Sequence, residues 1–456
     1  MNEYSTWSSS LTLDAIRDLF TQQGCEYVVV KQLAERQDND KNQIYVGKDL
    51  SAVSMIPSGN IEVSTTSSTK TGAPGKSKFQ ARLGLRWFTQ TGVTEAQHAK
   101  LIYYPQYPEV RFSGFLRGTT GGPSDLLSRA KRGQEADRLL LIGVNKADQT
   151  WGLVLGWEAT ARSDVLRLSE AVSGPLLRWE LGQSSAIDTR AALLDELERI
   201  HSLGWIRGMR LKDGAPVPYT ARNGGGYTLE ALLGISPNGN AEPDFLGWEI
   251  KQHGVKAFEK PGNPVITLMT PEPTAGVYVS PGFEDFMLRF GYPDKSDEAR
   301  TNFGGIYKAH KPPHPLTGLR LALNGFQSEK AFDANGSVAL IDTNHEVAAE
   351  WPFPKLMEHW KLKHAAACFV PSLSRDTDTG REYLYGRGIM LAGGASFGKL
   401  LRSIDGGGVY LDPALKLIVK PDGTATRKKR SQFRTRFREL ESLYEWVDYY
   451  GPHDLE

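Results

Sequence analysis

The sequence predicts two domains in series: a β-rich domain, then an α/β (α+β) domain with a mixed central sheet. Three observations lead there. A chain of 456 residues exceeds the size at which one hydrophobic core usually keeps growing. Up to Val165, short runs of β-branched and aromatic residues alternate with polar turns. Beyond that point, segments with helical and with strand periodicity are interleaved.

In the first block the strand-like runs are Tyr27 to Val30, Gln43 to Val46, Leu101 to Tyr104, Leu139 to Val144 and Trp151 to Trp157. The Ser, Thr, Gly and Lys of Ser58 to Lys78 have little to bury, so that stretch reads as a loop or hairpin tip. Residues 1–165 are taken as one domain, 166–185 as a linker and 186–456 as the second domain. From Asp188 to His201, Leu193, Leu194, Leu197 and Ile200 line one helix face, with Asp188 placed to cap it. Further helices are expected at Tyr227 to Leu233, Glu284 to Phe290, Phe353 to Trp360 and Phe433 to Trp446. Strands are expected at Trp248 to Lys251, Val265 to Met269, Leu319 to Leu323 and Ala366 to Val370.

Composition narrows the classes. Apolar residues make up 40% and charged residues 23%, the balance of a globular chain rather than a disordered one. Two cysteines, Cys25 and Cys368, supply neither a disulfide framework nor a Cys-rich zinc site, which suits a reducing, cytoplasmic setting. No run approaches 18 apolar residues, and Met1 to Ser10 lacks a signal-peptide pattern. A formal charge of +1 is neutral on nucleic-acid binding, which depends on local basic surface.

Chemistry concentrates in Gly225-Gly-Tyr-Thr-Leu-Glu-Ala-Leu-Leu-Gly234, an eight-residue loop, and Pro243-Asp-Phe-Leu-Gly-Trp-Glu-Ile-Lys251. On a strand, Glu249 and Lys251 project from one face while Trp248 and Ile250 enter the core. Asp244 lies across a turn marked by Gly247, where its carboxylate can join that of Glu249 around one hard cation. Oxygen donors of this kind favour Mg2+. Glu230 sits on a short helix whose Leu229, Leu232 and Leu233 form the buried side, and is expected to face the same centre. Alone, a carboxylate two residues before a lysine is a common accident of half-exposed strands.

The whole run resembles the catalytic segment of the MvaI/BcnI restriction endonucleases and the MutH-type nicking endonucleases, both variants of the PD-(D/E)XK nuclease fold. Val265-Ile-Thr-Leu-Met-Thr270 resembles the family's next strand. Arg430-Ser-Gln-Phe-Arg434 resembles its carboxy-terminal DNA-contacting segment, placed before a final helix. The resemblance covers residues 186 onward and implies a Mg2+-dependent type II endonuclease acting on double-stranded DNA, working as a monomer. It assigns Asp244, Glu249 and Lys251 to metal binding and catalysis, with Glu230 in support. One departure concerns a His-Asp-His stretch of the MvaI branch, whose positions are here Arg427, Lys428 and Lys429, so no target sequence carries over.

Arg427 to Arg438 holds seven Arg or Lys and no acid, the densest basic run in the chain. Beside a nuclease segment it reads as a DNA footprint, with Arg427, Lys428, Lys429, Arg430 and Arg434 as contacts and His253 as another approach to DNA. His310 and His314 form the one close histidine pair, but two prolines between them forbid the helix that would align a zinc site. In the amino-terminal block, Lys31 with the polar loop through Lys41 and Asn42, and the stretch from Arg111 to Arg117, weakly resemble the two DNA-gripping arms of the B3-like effector domain of EcoRII-type enzymes, a resemblance that implies a β-rich pseudobarrel domain. A scaffolding role is the bland alternative there. For the whole chain the competing functions are a modification-dependent or strand-nicking endonuclease and a non-catalytic DNA-binding module.

Overall fold

In the computed structural model, residues 3–33, 42–65, 77–128, 131, 137–182, 188–221, 223–236, 244–329 and 331–451 are described. They fall into two compact units, Met1–Ile187 and Asp188–Glu456.

The first unit is built on the strand Cys25–Leu33, paired antiparallel with Leu176–Glu180 on one side and Arg138–Asn145 on the other. Leu139 to Ile142 are all buried, the pattern of a strand covered on both faces. Seven strands make this sheet among the described residues, and a second, of five antiparallel strands, runs from Gln43–Gly47 to Glu62–Thr65. The unit opens with helices the sequence analysis does not anticipate, Glu3–Ser9 and Leu13–Thr21, the latter capped by the Thr12 side chain and burying Ile16 and Phe20. Gly143 is required there, because a Cβ would lie 2.3 Å from the Phe20 ring. The strand Glu62–Thr65 pairs with Ser77–Arg82, so a hairpin frames the expected loop, whose residues 66–76 lie outside the described set.

The expected linker, 166–185, needs correction. It carries the strands Glu170–Ser173 and Leu176–Glu180, and Trp179 is buried. Burial of Leu176 and Trp179 and the backbone pairing with the Cys25–Leu33 strand outweigh the short, polar appearance of this stretch.

In the second unit Asp188 caps the helix Thr189–Ser202, its carboxylate accepting from the N–H groups of Arg190 and Ala191 at 3.0 Å. Leu193, Leu197 and Ile200 enter a core with Leu229, Trp248, Ile250, Cys368, Val370 and Leu391. The organising strand is Ala366–Thr377. It pairs in parallel with Glu249–Gly254, in the register Glu249 to Ala367 and Lys251 to Phe369, and antiparallel with Gly380–Tyr385 and Ile389–Gly393. A smaller sheet joins Val265–Met269 to Phe433–Arg436 and Tyr410–Leu411.

The helix expected over Phe433 to Trp446 does not form. Phe433, Thr435 and Phe437 are buried at every second position, which is strand periodicity. The chain therefore runs as the strand Phe433–Arg436, a 3-10 turn Phe437–Leu443 and the strand Trp446–Tyr450. The other expected helices and strands of this unit are present, with ends shifted by a few residues.

Leu193 is fully buried in this core, so Leu193→Ala is expected to lower unfolding free energy by about 3 kcal/mol in urea titrations. Cys25 and Cys368 are buried, and burial pushes the Cys25 thiol up to about 12. Neither should react with an aromatic disulfide reagent until denaturant is added; rapid labelling of the native protein would refute that packing.

Candidate active site

The geometry starts with a tight turn. Phe245 N–H donates to Trp248 O (2.9 Å) and Trp248 N–H to Phe245 O (2.8 Å), with φ of 47° at Leu246 and 89° at Gly247. Positive φ at both central positions is the hairpin-closing type I′ pattern. Gly247 adopts it freely, whereas Leu246, exposed, carries the strain. This turn folds Asp244 back onto the strand that follows, where its Oδ2 accepts from the N–H of Ile250 at 2.8 Å. The aspartate thus sits on the strand edge between Glu249 and Lys251.

Alternation then separates two faces. Trp248 and Ile250 enter the core, and Gln252 faces the helix Gly224–Leu232, where a side chain at Gly225 would lie 2.8 Å from Gln252 Oε1. Glu249, Lys251 and His253 share the opposite face. Lys251 Nζ donates to Glu249 Oε1 at 2.9 Å, and the two side chains keep only 13% and 5% of their surface exposed. His253 is buried against Phe437, ring centroids 4.7 Å apart. Tyr444 packs on Phe369, the register neighbour of Lys251, at 6.1 Å. Its Oη is 2.7 Å from His364 Nδ1. The segment from Phe437 to Tyr444 therefore covers the polar face of the strand. Burial first, and the Glu249 charge second, hold the Tyr444 hydroxyl well above the usual phenol range. Beyond Lys251 the face continues into a cavity of about 210 Å³ lined by His201, His253, Phe258, Glu259 and Phe437.

The structure brings Asp244, Glu249 and Lys251 to one strand edge. Glu230 lies on the helix Gly224–Leu232, which packs on the Ile250 face through Leu229 and Leu233 and receives the Tyr385 hydroxyl bond at Gly225 O, 2.7 Å. His253 is enclosed rather than presented to solvent, 4% of its surface remaining accessible. Among the described residues no group of three or more His, Cys, Asp or Glu side chains converges as a metal site. His310 instead meets Asp405, Nε2 to Oδ1 at 2.7 Å, and His314 packs on Tyr307.

The basic run divides by partner. Arg434 is spent within the protein, donating to Thr267 Oγ1 (3.1 Å) and Asp412 Oδ2 (2.6 Å) and so bracing the sheet of Val265–Met269 and Phe433–Arg436. Arg427 donates to Glu284 Oε1 at 2.9 Å, and Lys429 lies over the Phe283 ring at 5.1 Å. Lys428 and Arg430 are exposed. Register adds a residue that the sequence does not single out: Lys416, half-buried, stands directly across from Lys428 on the paired strands Ala414–Val419 and Ala425–Lys428. Like charges in that position repel, and an anion bound there would relieve the repulsion.

In the first unit Lys31 Nζ donates to Gln32 O (2.8 Å), Asn42 is exposed and Lys41 lies outside the described residues. Arg111 is held by Glu109 (2.6 Å) and Gln43 (3.1 Å), whereas Arg117 is exposed.

The model of the MvaI/BcnI restriction endonuclease family matches residues 194–444. The solved structures similar to the chain include the following two. One is described as "Restriction endonuclease MvaI-cognate DNA substrate complex", at 17% identity and a TM-score of 0.44, covering 58% of this chain and 99% of that one. The other, "Restriction endonuclease MvaI in the absence of DNA", has 14% identity and a TM-score of 0.33, covering 59% and 100%. No curated protein matches the sequence.

Removing one member of a buried ion pair leaves the other charge desolvated and alone. Lys251→Met is therefore expected to cost about 3 kcal/mol of stability, and adding Glu249→Gln should recover most of it. Additive losses in a double-mutant cycle would count against the pair.

Proposed function

Because the chain belongs to the MvaI/BcnI restriction endonuclease family and is thus a type II site-specific deoxyribonuclease, we propose that its second unit hydrolyses double-stranded DNA at a PD-(D/E)XK centre made of Asp244, Glu249 and Lys251. The observation that carries the assignment is the buried Lys251–Glu249 pair, with the Asp244 carboxylate bonded to the N–H of Ile250 between them.

The residues present suit a hard divalent cation. Asp244 and Glu249 offer carboxylate oxygens on one strand edge, and magnesium, which binds few carboxylates and keeps several waters, asks for no more. Such a cation, when bound, supplies a polarised water and positive charge beside the phosphate oxygens. Asp244 and Glu249 hold it. Lys251, fixed by Glu249 from below, orients the attacking water and meets the negative charge that grows on the phosphate. The wall of Phe437 and Tyr444 limits bulk water at the strand face. Glu230, on the helix packed beside this strand, supports the centre by positioning the cation.

The hairpin carrying Lys416, Lys428 and Arg430 meets the phosphate backbone in this reading, since two lysines paired across strands suit a polyanion. Lys31, Lys41, Asn42, Arg111 and Arg117 of the first unit form a second DNA-reading surface of the B3-like kind, which licenses or restrains cutting. The enzyme acts as a cytoplasmic monomer.

Magnesium-dependent cleavage of methylated and unmethylated plasmid tests the proposal. The intact protein should yield linear DNA with discrete ends, and Asp244→Ala and Lys251→Ala should each lower the rate by at least about a thousandfold. Accumulated open circles would point instead to a nickase, and retarded but uncut DNA to a binding module.

A further inference from the structure

Six residues other than glycine have a positive φ among the described residues. Five of them, Asp137, Asp148, Asp213, His310 and His345, are of types that tolerate the left-handed region. The sixth, Leu246 at 47°, is the one aliphatic residue in the set. The type I′ turn it occupies suits asparagine before Gly247, the pair that closes such turns with least strain. Its side chain is also exposed, with 46% of its surface accessible, while Phe245 beside it packs on the core of Trp248 and Ile250. Leucine is thus disfavoured here twice, by its backbone and by water, and Leu246 is not part of the core cluster that holds Phe245. Strain held at one residue of an otherwise locally consistent segment marks a place where something beyond the fold sets the side chain.

Position says what that is. Leu246 follows Asp244 by two residues, so their Cα atoms are at most about 7 Å apart. That distance is close to the width of the DNA minor groove, about 6 Å. A duplex whose scissile phosphate meets the carboxylates of Asp244 and Glu249 therefore also lies against the tip of this turn. Next to each phosphate the duplex offers deoxyribose, whose carbon-bound hydrogens are the apolar part of the backbone. An aliphatic side chain suits that surface, as the charged side chains of the centre suit the phosphate.

We propose that Leu246 is a substrate-contact residue: its side chain packs on the deoxyribose beside the scissile phosphate and holds the DNA backbone against the turn that carries Asp244. The inference rests on the reading of Asp244, Glu249 and Lys251 as the cleavage centre and extends that centre from the phosphate to the sugar. DNA covers the leucine that the free protein leaves in water. The contact is apolar and carries no base identity, so it serves any target sequence alike.

The test uses the full chain and a duplex oligonucleotide carrying a site mapped from plasmid fragments, and reads kcat, KM and melting temperature together. Leu246→Asn keeps the turn, accepts the left-handed backbone and removes the apolar side chain. It should raise the melting temperature by about 2 °C and leave kcat within about twofold. KM should rise about fivefold or more, the effect of losing one half-buried leucine side chain from the complex. Leu246→Met keeps both an apolar side chain and the backbone strain, so its KM should stay within about twofold of the intact chain's. If Leu246→Asn does not fold, Leu246→Gly decides, since glycine also accepts the backbone and should show the same rise in KM. An unchanged KM in Leu246→Asn overturns the proposal. A fall in kcat at constant KM also overturns it, because the residue would then act only by positioning Asp244. A melting temperature that drops does so as well, because the side chain would then be packed within the protein. Asp244→Ala separates the two readings. If that variant still cuts, the centre lies elsewhere and both readings fall; if it is inactive while Leu246→Asn keeps the KM of the intact chain, the centre stands and the sugar contact alone is refuted.

Discussion

The second unit is organised around one parallel strand pairing. Glu249–Gly254 lies beside Ala366–Thr377, and that register decides which side chains face the core and which face the chemistry. Ile250 is locked into a cluster with Leu229, Leu193 and Cys368, so its two neighbours have no choice but the other face. A slip of one residue would bury the lysine and the glutamate in hydrocarbon and expose the isoleucine. The apolar packing on one side thus sets the position of the charges on the other. The type I′ turn at Leu246 and Gly247 then brings in the aspartate without a further element.

Once buried, the Lys251–Glu249 pair is held by geometry rather than by solvent. Its cover comes from the segment after the strand Phe433–Arg436, with Phe437 on His253 and Tyr444 on Phe369. That strand is in turn pinned to Val265–Met269 by backbone pairing and by the Arg434 side chain on Thr267 and Asp412. The basic segment and the carboxylate centre are parts of one continuous piece of packing.

Much of this was legible in the sequence, for local reasons. Asp244, Glu249 and Lys251 could be placed because the apolar framing of Trp248 and Ile250 is strict and Gly247 announces the turn. The helix at Asp188 could be placed because its cap and its leucine spacing agree. What was not legible depends on partners distant in the chain. Arg434 reads as a DNA contact until Asp412 and Thr267 are seen to occupy it. The 3-10 turn at Phe437–Leu443 was mistaken for helix because its apolar residues suit either period over so short a run, and Phe437 gains its role only from His253. His364, Tyr444 and Lys416 carry no local signal; pairing alone gives them meaning.

The distance along the chain between the parts of the centre also governs when it comes into being. Residue 249 needs residue 367 as its strand partner, and its polar face needs residues 437 and 444 as its cover. Contacts of such separation form late, after the loop-closure entropy has been met by earlier packing. A ribosome that has released the chain only as far as the Val265–Met269 strand has already made Asp244, Glu249 and Lys251, yet neither the strand that pairs with them nor the segment that covers their face. The arrangement of these three side chains is therefore complete only once the carboxy-terminal part of the chain has joined the fold.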